Sequence, residues 1–266
     1  MDKIFVEVQH NAAYIYLNDE TALNCLTLKT LHILNECVNR LESDISVNII
    51  VIKSSIDGIF SSGYDLNYLN KFNQVEAKNF SKQGQKLIKR IRDIKKTVIS
   101  VVNGQALGSG FELLLASDFI FATAKSEFGF PEVNYGIIPG FGGLQIILRQ
   151  LGESLTKYLA FTGENIDAAK LYNRGIVTRI FSTDNEMNNF LTDFIKTFSE
   201  KSLFAIGLIK ETINKGIEID LESALLIEQN AFSVSFSSED KKEGMKSFLE
   251  KRKPIFSDRW ENFEEI

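Results

Sequence analysis

Histidine and cysteine are scarce in this chain, with two of each among 266 residues. Cys25 and Cys37 cannot build a disulfide framework. His10 and His32 stand beside no carboxylate or thiol cluster, so a histidine metal site or a histidine-based triad has little material. No metal and no tightly held cofactor is expected. A run of about 18 uninterrupted apolar residues, which a membrane helix needs, is also missing. The opening Met1-Asp2-Lys3-Ile4-Phe5 alternates like a strand and lacks the apolar core of a signal peptide. These lacks point to a reduced, cytoplasmic protein with no membrane partner. Excess positive charge is lacking too: 30 Lys and Arg face 35 Asp and Glu, a net charge of −5, the wrong sign for a general nucleic-acid binder.

What is present is an ordinary globular composition, 44% hydrophobic and 24% charged, in a chain long enough for one substantial core with an appendage. The first half alternates strand-like and helix-like patterns, the mark of an α/β layer structure. Residues 3–9 and 12–17 read as a hairpin. From 27 to 43, Leu28, Leu31, Leu34, Val38 and Leu41 recur at three and four residues and make one helical stripe. A buried strand over 48–53, a loop over 56–64, a helix over 75–94 and a strand over 98–102 follow. Residues 108–116 then read as a short helix and 119–122 as a strand. Beyond Phe141 the pattern turns helical, over 144–150, 155–161, 168–173, 185–198, 203–214 and 221–236. The expected organisation is a core over 1–200 and a helical oligomerisation region over 201–266, whose Ala224, Leu225, Ile227, Ala231 and Phe232 leave an apolar face needing cover.

Three central segments combine glycine with isolated carboxylates in apolar surroundings. The loop Phe60-Ser61-Ser62-Gly63-Tyr64-Asp65-Leu66 contains a glycine whose backbone freedom can leave the next N–H pointing into space. Asn103-Gly104-Gln105-Ala106-Leu107-Gly108-Ser109-Gly110-Phe111-Glu112 takes a strand through a glycine-rich turn into a helix, where free N–H groups favour a negatively charged oxygen. The third runs from Phe128-Gly129-Phe130-Pro131-Glu132-Val133 to Gly136-Ile137-Ile138-Pro139-Gly140-Phe141-Gly142-Gly143 and holds two of the three prolines. Glu112 and Glu132 both have apolar neighbours, and burial raises a carboxyl pKa toward the range useful in acid/base work.

In this order, and with Ala22-Leu23-Asn24, Phe161-Thr162-Gly163 and Phe248-Leu249-Glu250-Lys251-Arg252-Lys253-Pro254, these segments resemble the enoyl-CoA hydratase/isomerase (crotonase) superfamily over nearly the whole chain. The resemblance implies a spiral of ββα units with a C-terminal helical region, assembled as a homotrimer or a homohexamer. It implies an acyl-thioester substrate whose enolate is held by two backbone N–H groups, which fall by position on Tyr64 and Ser109. It places Glu112 as the base that takes a proton from water and Glu132 as the acid that supplies Cα, with the Gly140 N–H holding the water. Substrate contacts fall on Ala22, Ser62, Gly63, Asp65, Leu66, Gly108, Phe130 and Lys253. No cofactor is implied, coenzyme A being part of the substrate.

The implied reaction is reversible hydration of a 2-enoyl-CoA to a 3-hydroxyacyl-CoA. The alternatives are a dehydratase or isomerase of a specialised biosynthetic pathway, with the acyl group on CoA or on a carrier protein, and a catalytically silent assembly or RNA-binding subunit. Keeping both glutamates favours hydration. The chain departs from the family at Asn18-Asp19-Glu20-Thr21, an acidic stretch that would not attract CoA phosphates, with Lys251, Arg252 and Lys253 as the remaining source of positive charge. It departs again at Phe130, Leu144 and Ile146, which point to a more apolar acyl pocket or to a different handle on the substrate. Asp65 is expected to cap the helix that follows it.

Overall fold

The computed structural model describes residues 2–260; residue 1 and residues 261–266 of the two expected regions lie outside the described residues. Strands β1 (Ile4–Gln9) and β2 (Ala12–Leu17) form the expected hairpin. His10 and Asn11 close it with φ of 51° and 63°, the left-handed pair that a two-residue hairpin turn requires, which accounts for one of the two histidines. Helix α1 (Leu28–Glu42) starts at Thr27, whose side chain and that of Thr30 cap each other's backbone, and it buries Leu31, Leu34, Val38 and Leu41.

The chain then winds. Strands β3 (Ile49–Ser54) and β4 (Gly58–Ser61) lead into helices α2 (Leu66–Leu69) and α3 (Gln74–Asp93). Next come β5 (Thr97–Val102), β6 (Gly104–Leu107) and helix α4 (Ser109–Leu114), and then β7 (Phe119–Thr123), β8 (Glu127–Gly129) and a 3-10 helix over Pro131–Tyr135. The first strand of each pair enters a six-stranded sheet ordered β1-β2-β3-β5-β7-β10, closed by β10 (Arg179–Phe181), and the second enters a four-stranded sheet ordered β4-β6-β8-β9, closed by β9 (Ile166–Asp167). Pairing is parallel from turn to turn, for example Val51 with Ile99, Ile99 with Phe119 and Gln105 with Glu127. This is the α/β spiral of ββα units that the family resemblance implies.

The large sheet is covered on both sides, which is why residues 49–52 are apolar without alternation and residues 97–102 are all buried, Thr97 and Ser100 included. Ile50, Ile52 and Val98 face the cluster under α1 and α3. Ile49, Val51 and Ile99 face Met187, Leu191 and Ile195 of α8 (Asp184–Phe198).

Strand β4 corrects the reading of 56–64 as loop. Gly58 and Ser61 at its ends leave only Ile59 and Phe60 as strand formers, too short a run to show a pattern. Its pairing with β6 rests on the close approach of two glycines: a Cβ on Gly104 would lie 1.9 Å from the Gly58 carbonyl oxygen.

The remainder is α5 (Gly143–Leu151), α6 (Glu153–Thr162), β9 (Ile166–Asp167), α7 (Ala168–Tyr172), β10 (Arg179–Phe181), α8, α9 (Leu203–Gly216), α10 (Leu221–Ser235) and α11 (Glu239–Leu249). Helix α9 is pinned to the core by Lys210, a buried ammonium that donates to Asp118 at 2.8 Å and to the Lys96 carbonyl at 3.0 Å. Burial alone would favour neutral forms on both sides, raising Asp118 and lowering Lys210, and each charge opposes that for the other. Helix α10 packs against α9 and buries none of its own residues, so Leu225 and Phe232 stay exposed.

Candidate active site

Two backbone N–H groups converge where β4 and β6 run into their helices. Gly63, at φ 94°, lies so close to β6 that a Cβ would meet the Leu107 carbonyl oxygen at 2.7 Å. Gly108, at φ 50°, continues β6 into α4 and would likewise tolerate no side chain. The third contact is Gly110 against Ser61, where a Cβ would come within 2.5 Å. These glycines press the Tyr64 amide and the Ser109 amide toward each other, and among the described residues neither amide has an acceptor within the chain. Ser109 is the first residue of α4, where a free N–H is intrinsic to the helix and attracts negative charge.

The segment Ala22-Leu23-Asn24 is laced along the same loop. Ser61 Oγ donates to the Asn24 carbonyl at 2.8 Å, Ser62 Oγ to the Leu23 carbonyl at 3.0 Å, and the Leu26 N–H to the Gly63 carbonyl at 2.8 Å. The Asp65 carboxylate accepts the Tyr68 N–H at 3.1 Å and caps α2, as expected; Leu66 beside it is exposed.

Glu112 and Glu132 are both buried, with 0% and 1% of their surface exposed. Their surroundings differ sharply. Oε1 of Glu112 accepts the Phe141 N–H at 2.9 Å and the Gly143 N–H at 2.8 Å, and Oε2 accepts the Tyr64 hydroxyl at 2.8 Å. Burial raises the Glu112 pKa, and these donors act against that rise by stabilising the anion. Both carboxyl oxygens of Glu132 are buried with no hydrogen-bond partner among the described residues. Burial, reinforced by the negative charge of Glu112, pushes its pKa up to about 8 from the ordinary 4.5. The two buried carboxyls therefore differ in kind: donors favour the anion of Glu112 against the burial that raises its pKa, and no such donor faces Glu132. Glu132 reaches this place on the 3-10 helix begun by Pro131, and Gly108 leaves the room for it, since a Cβ there would sit 2.6 Å from Glu132 Oε1.

Several residues stand elsewhere than the sequence suggests. The Gly140 N–H donates to the Tyr64 hydroxyl oxygen at 2.9 Å. The Phe130 ring is wholly buried and packs on Phe111 with centroids 4.9 Å apart, so it belongs to the core under the site. Asp19 is turned inward, pairs with Lys3 at 2.6 Å and accepts the Ala22 N–H, so the acidic stretch carries less free negative charge than its composition indicates. Lys253 is 3.8 Å from Glu200, and Arg252 is held by Glu243 and Glu250; the structure does not bring this segment to the two glutamates.

Sequence reasoning missed the Phe141 and Gly143 amides, the Tyr64 hydroxyl, and the pair Ser81 and Gln85, which donate to the Gly140 carbonyl at 2.6 and 3.1 Å. The four-residue spacing of Ser81 and Gln85 puts both on one face of α3 and was the only available signal for that contact. Among the described residues no group of three or more His, Cys, Asp or Glu side chains could hold a metal ion, and no helix is long and apolar enough to cross a membrane.

Comparison with known proteins agrees with this geometry. The family model described as "Enoyl-CoA hydratase/isomerase" matches residues 7–259. A crotonyl-CoA hydratase of Syntrophomonas wolfei is 35% identical over 96% of this chain and 98% of its own length. A short-chain-enoyl-CoA hydratase of Clostridium acetobutylicum is 33% identical over 95% and 97%. The crystal structure of an enoyl-CoA hydratase from Bacillus anthracis superposes with a TM-score of 0.90 at 27% identity, covering 96% of this chain and 99% of that one. The full-length match, the spiral and the paired glutamates beside two free amides agree: the chain belongs to the enoyl-CoA hydratase/isomerase family, the crotonase superfamily.

Proposed function

We propose that this enzyme adds water reversibly across the double bond of a 2-enoyl-CoA to give a 3-hydroxyacyl-CoA. The observation that carries the reading is the opposed state of the two buried glutamates, Glu112 held by three donors and Glu132 free of partners and protonated up to about pH 8. The thioester oxygen sits between the Tyr64 and Ser109 N–H groups, which take up the charge that grows on it as the enolate forms. Water attacks Cβ and gives its proton to Glu112, and Cα takes the proton of Glu132. The carboxyls then re-equilibrate with solvent, and the reverse sequence dehydrates the product. No cofactor takes part, coenzyme A being carried by the substrate. The same reading places the enzyme in the cytoplasm as a homotrimer or homohexamer in which the exposed face of α10, with Leu225 and Phe232, is covered.

Double-bond migration by Glu132 alone is the second reading, favoured by the engagement of Glu112 with Tyr64. Incubating the enzyme with crotonyl-CoA and with its 3-enoyl isomer separates the two. Hydration of crotonyl-CoA is expected; conversion of the 3-enoyl thioester to the conjugated one with no hydration would establish the second reading.

A further inference from the structure

The hydroxyl of Tyr64 occupies an unusual position for a side chain whose backbone N–H is an oxyanion donor. It donates to Glu112 Oε2 at 2.8 Å and accepts the Gly140 N–H at 2.9 Å. A water molecule about to be deprotonated by Glu112 and held by that amide would make the same two bonds in the same directions. Nor does Glu112 offer such a water an equivalent second place. A carboxylate oxygen has two lone-pair directions, and both of those on Oε1 are taken by the Phe141 and Gly143 amides. The nucleophile must come to Oε2, where the phenol already lies.

The surroundings fix the phenol there. Its ring packs edge-on against Phe80 and Phe141, with centroids 5.9 and 5.2 Å apart, and the Gly140 peptide is clamped from its carbonyl side by Ser81 and Gln85. Burial and the neighbouring Glu112 raise the Tyr64 pKa, so the phenol stays a neutral donor. We propose that Tyr64 is the residue that admits water to this site: its hydroxyl fills the nucleophile's seat on Glu112 and Gly140, and hydration requires the ring to turn out of that seat when the acyl thioester binds. This rests on the hydratase reading. It makes Tyr64 a positioning and specificity-determining residue in addition to a backbone donor, because with the phenol in place only Glu132 is free to move a proton.

Two measurements test it. In the first, kcat and KM for crotonyl-CoA are compared between the wild type, Tyr64→Phe and Tyr64→Ala, both of which keep the backbone N–H. Removing the hydroxyl removes the competitor for the seat, so binding no longer has to break its hydrogen bond and KM should fall by about two- to tenfold, the ratio one net hydrogen bond represents, with kcat kept. A KM that does not fall, or a kcat that drops in a folded variant, overturns the proposal; a drop of tenfold or more would make the phenol a required proton relay. In the second measurement, which needs no variant, crystal structures of the wild type are determined with and without the saturated analogue butyryl-CoA. The proposal expects the hydroxyl to leave Glu112 Oε2 and Gly140 N in the complex and a water to take both bonds. A hydroxyl still seated in the complex overturns it. A wild type that binds the analogue with the ring turned away yet hydrates nothing would defeat the hydratase reading and leave the movement of Tyr64 established.

Discussion

Replacing Glu132 with Gln should make the protein more stable while stopping the reaction. In the fold Glu132 keeps its proton up to about pH 8, whereas the ordinary side chain releases it near 4.5. Between those values the folded chain holds a proton that the unfolded chain has lost, so rising pH favours unfolding. The contribution of this residue is whole below the ordinary value, declines through the window and is flat above about pH 8. At about 1.4 kcal/mol per pH unit, the wild type gives up about 3 kcal/mol on reaching pH 7 and about 5 kcal/mol over the whole window. Glutamine has the shape of the protonated acid and cannot ionise. Glu132→Gln should therefore match the wild type to within about 1 kcal/mol near pH 5 and exceed it by about 3 kcal/mol near pH 7. Urea unfolding at both pH values, at one fixed protein concentration because assembly would add to the apparent stability, reads the difference directly. A difference that does not change with pH, or a variant less stable near pH 7, would refute the claim that burial keeps Glu132 protonated.

Three further outcomes follow from the same geometry. The hydration rate should fall as pH rises through about 8, when Glu132 gives up the proton destined for Cα, and should also fall on the acid side as Glu112 becomes protonated above the usual carboxylate range; a rate that climbs steadily past that value would reverse the assigned roles. Ser109→Pro removes the N–H at the start of α4, and in a folded variant that still binds CoA it should lower kcat about a hundredfold or more; full activity would exclude this amide as a donor. Presenting one enoyl group on CoA, on pantetheine and on an acyl-carrier protein should give the highest kcat/KM with CoA, because remote contacts with the nucleotide help hold the carbonyl in place; equal values for CoA and pantetheine would contradict the CoA assignment, and a large advantage for the carrier protein would replace it.

Much of this was legible from residue order, and the exceptions have physical causes. The stripe of α1 and the β-branched, non-alternating stretches of β3 and β5 could be read because burial of one face leaves a period in the sequence and burial of both removes the alternation. Strand β4 left no such trace, since contacts with β6 hold it and side-chain pattern does not. The glutamates were visible as acids among apolar neighbours, and Gly63 and Gly108 as residues that free the next amide. The Tyr64 hydroxyl could not be placed, because its bonds join residues 64, 112 and 140, which only the winding of the spiral brings together. Asp19 was read from composition as free negative charge, and its pairing with Lys3 depends on the β1 strand lying beside that loop.

The two-glutamate mechanism is tested most directly by the rate at which the wild type, Glu112→Gln and Glu132→Gln hydrate crotonyl-CoA, followed as loss of the absorbance of the conjugated thioester. The wild type should turn over, and each variant should be slower by about a hundredfold or more, because neither amide can exchange a proton at the working pH. Near-normal hydration in either folded variant would contradict the two-glutamate mechanism.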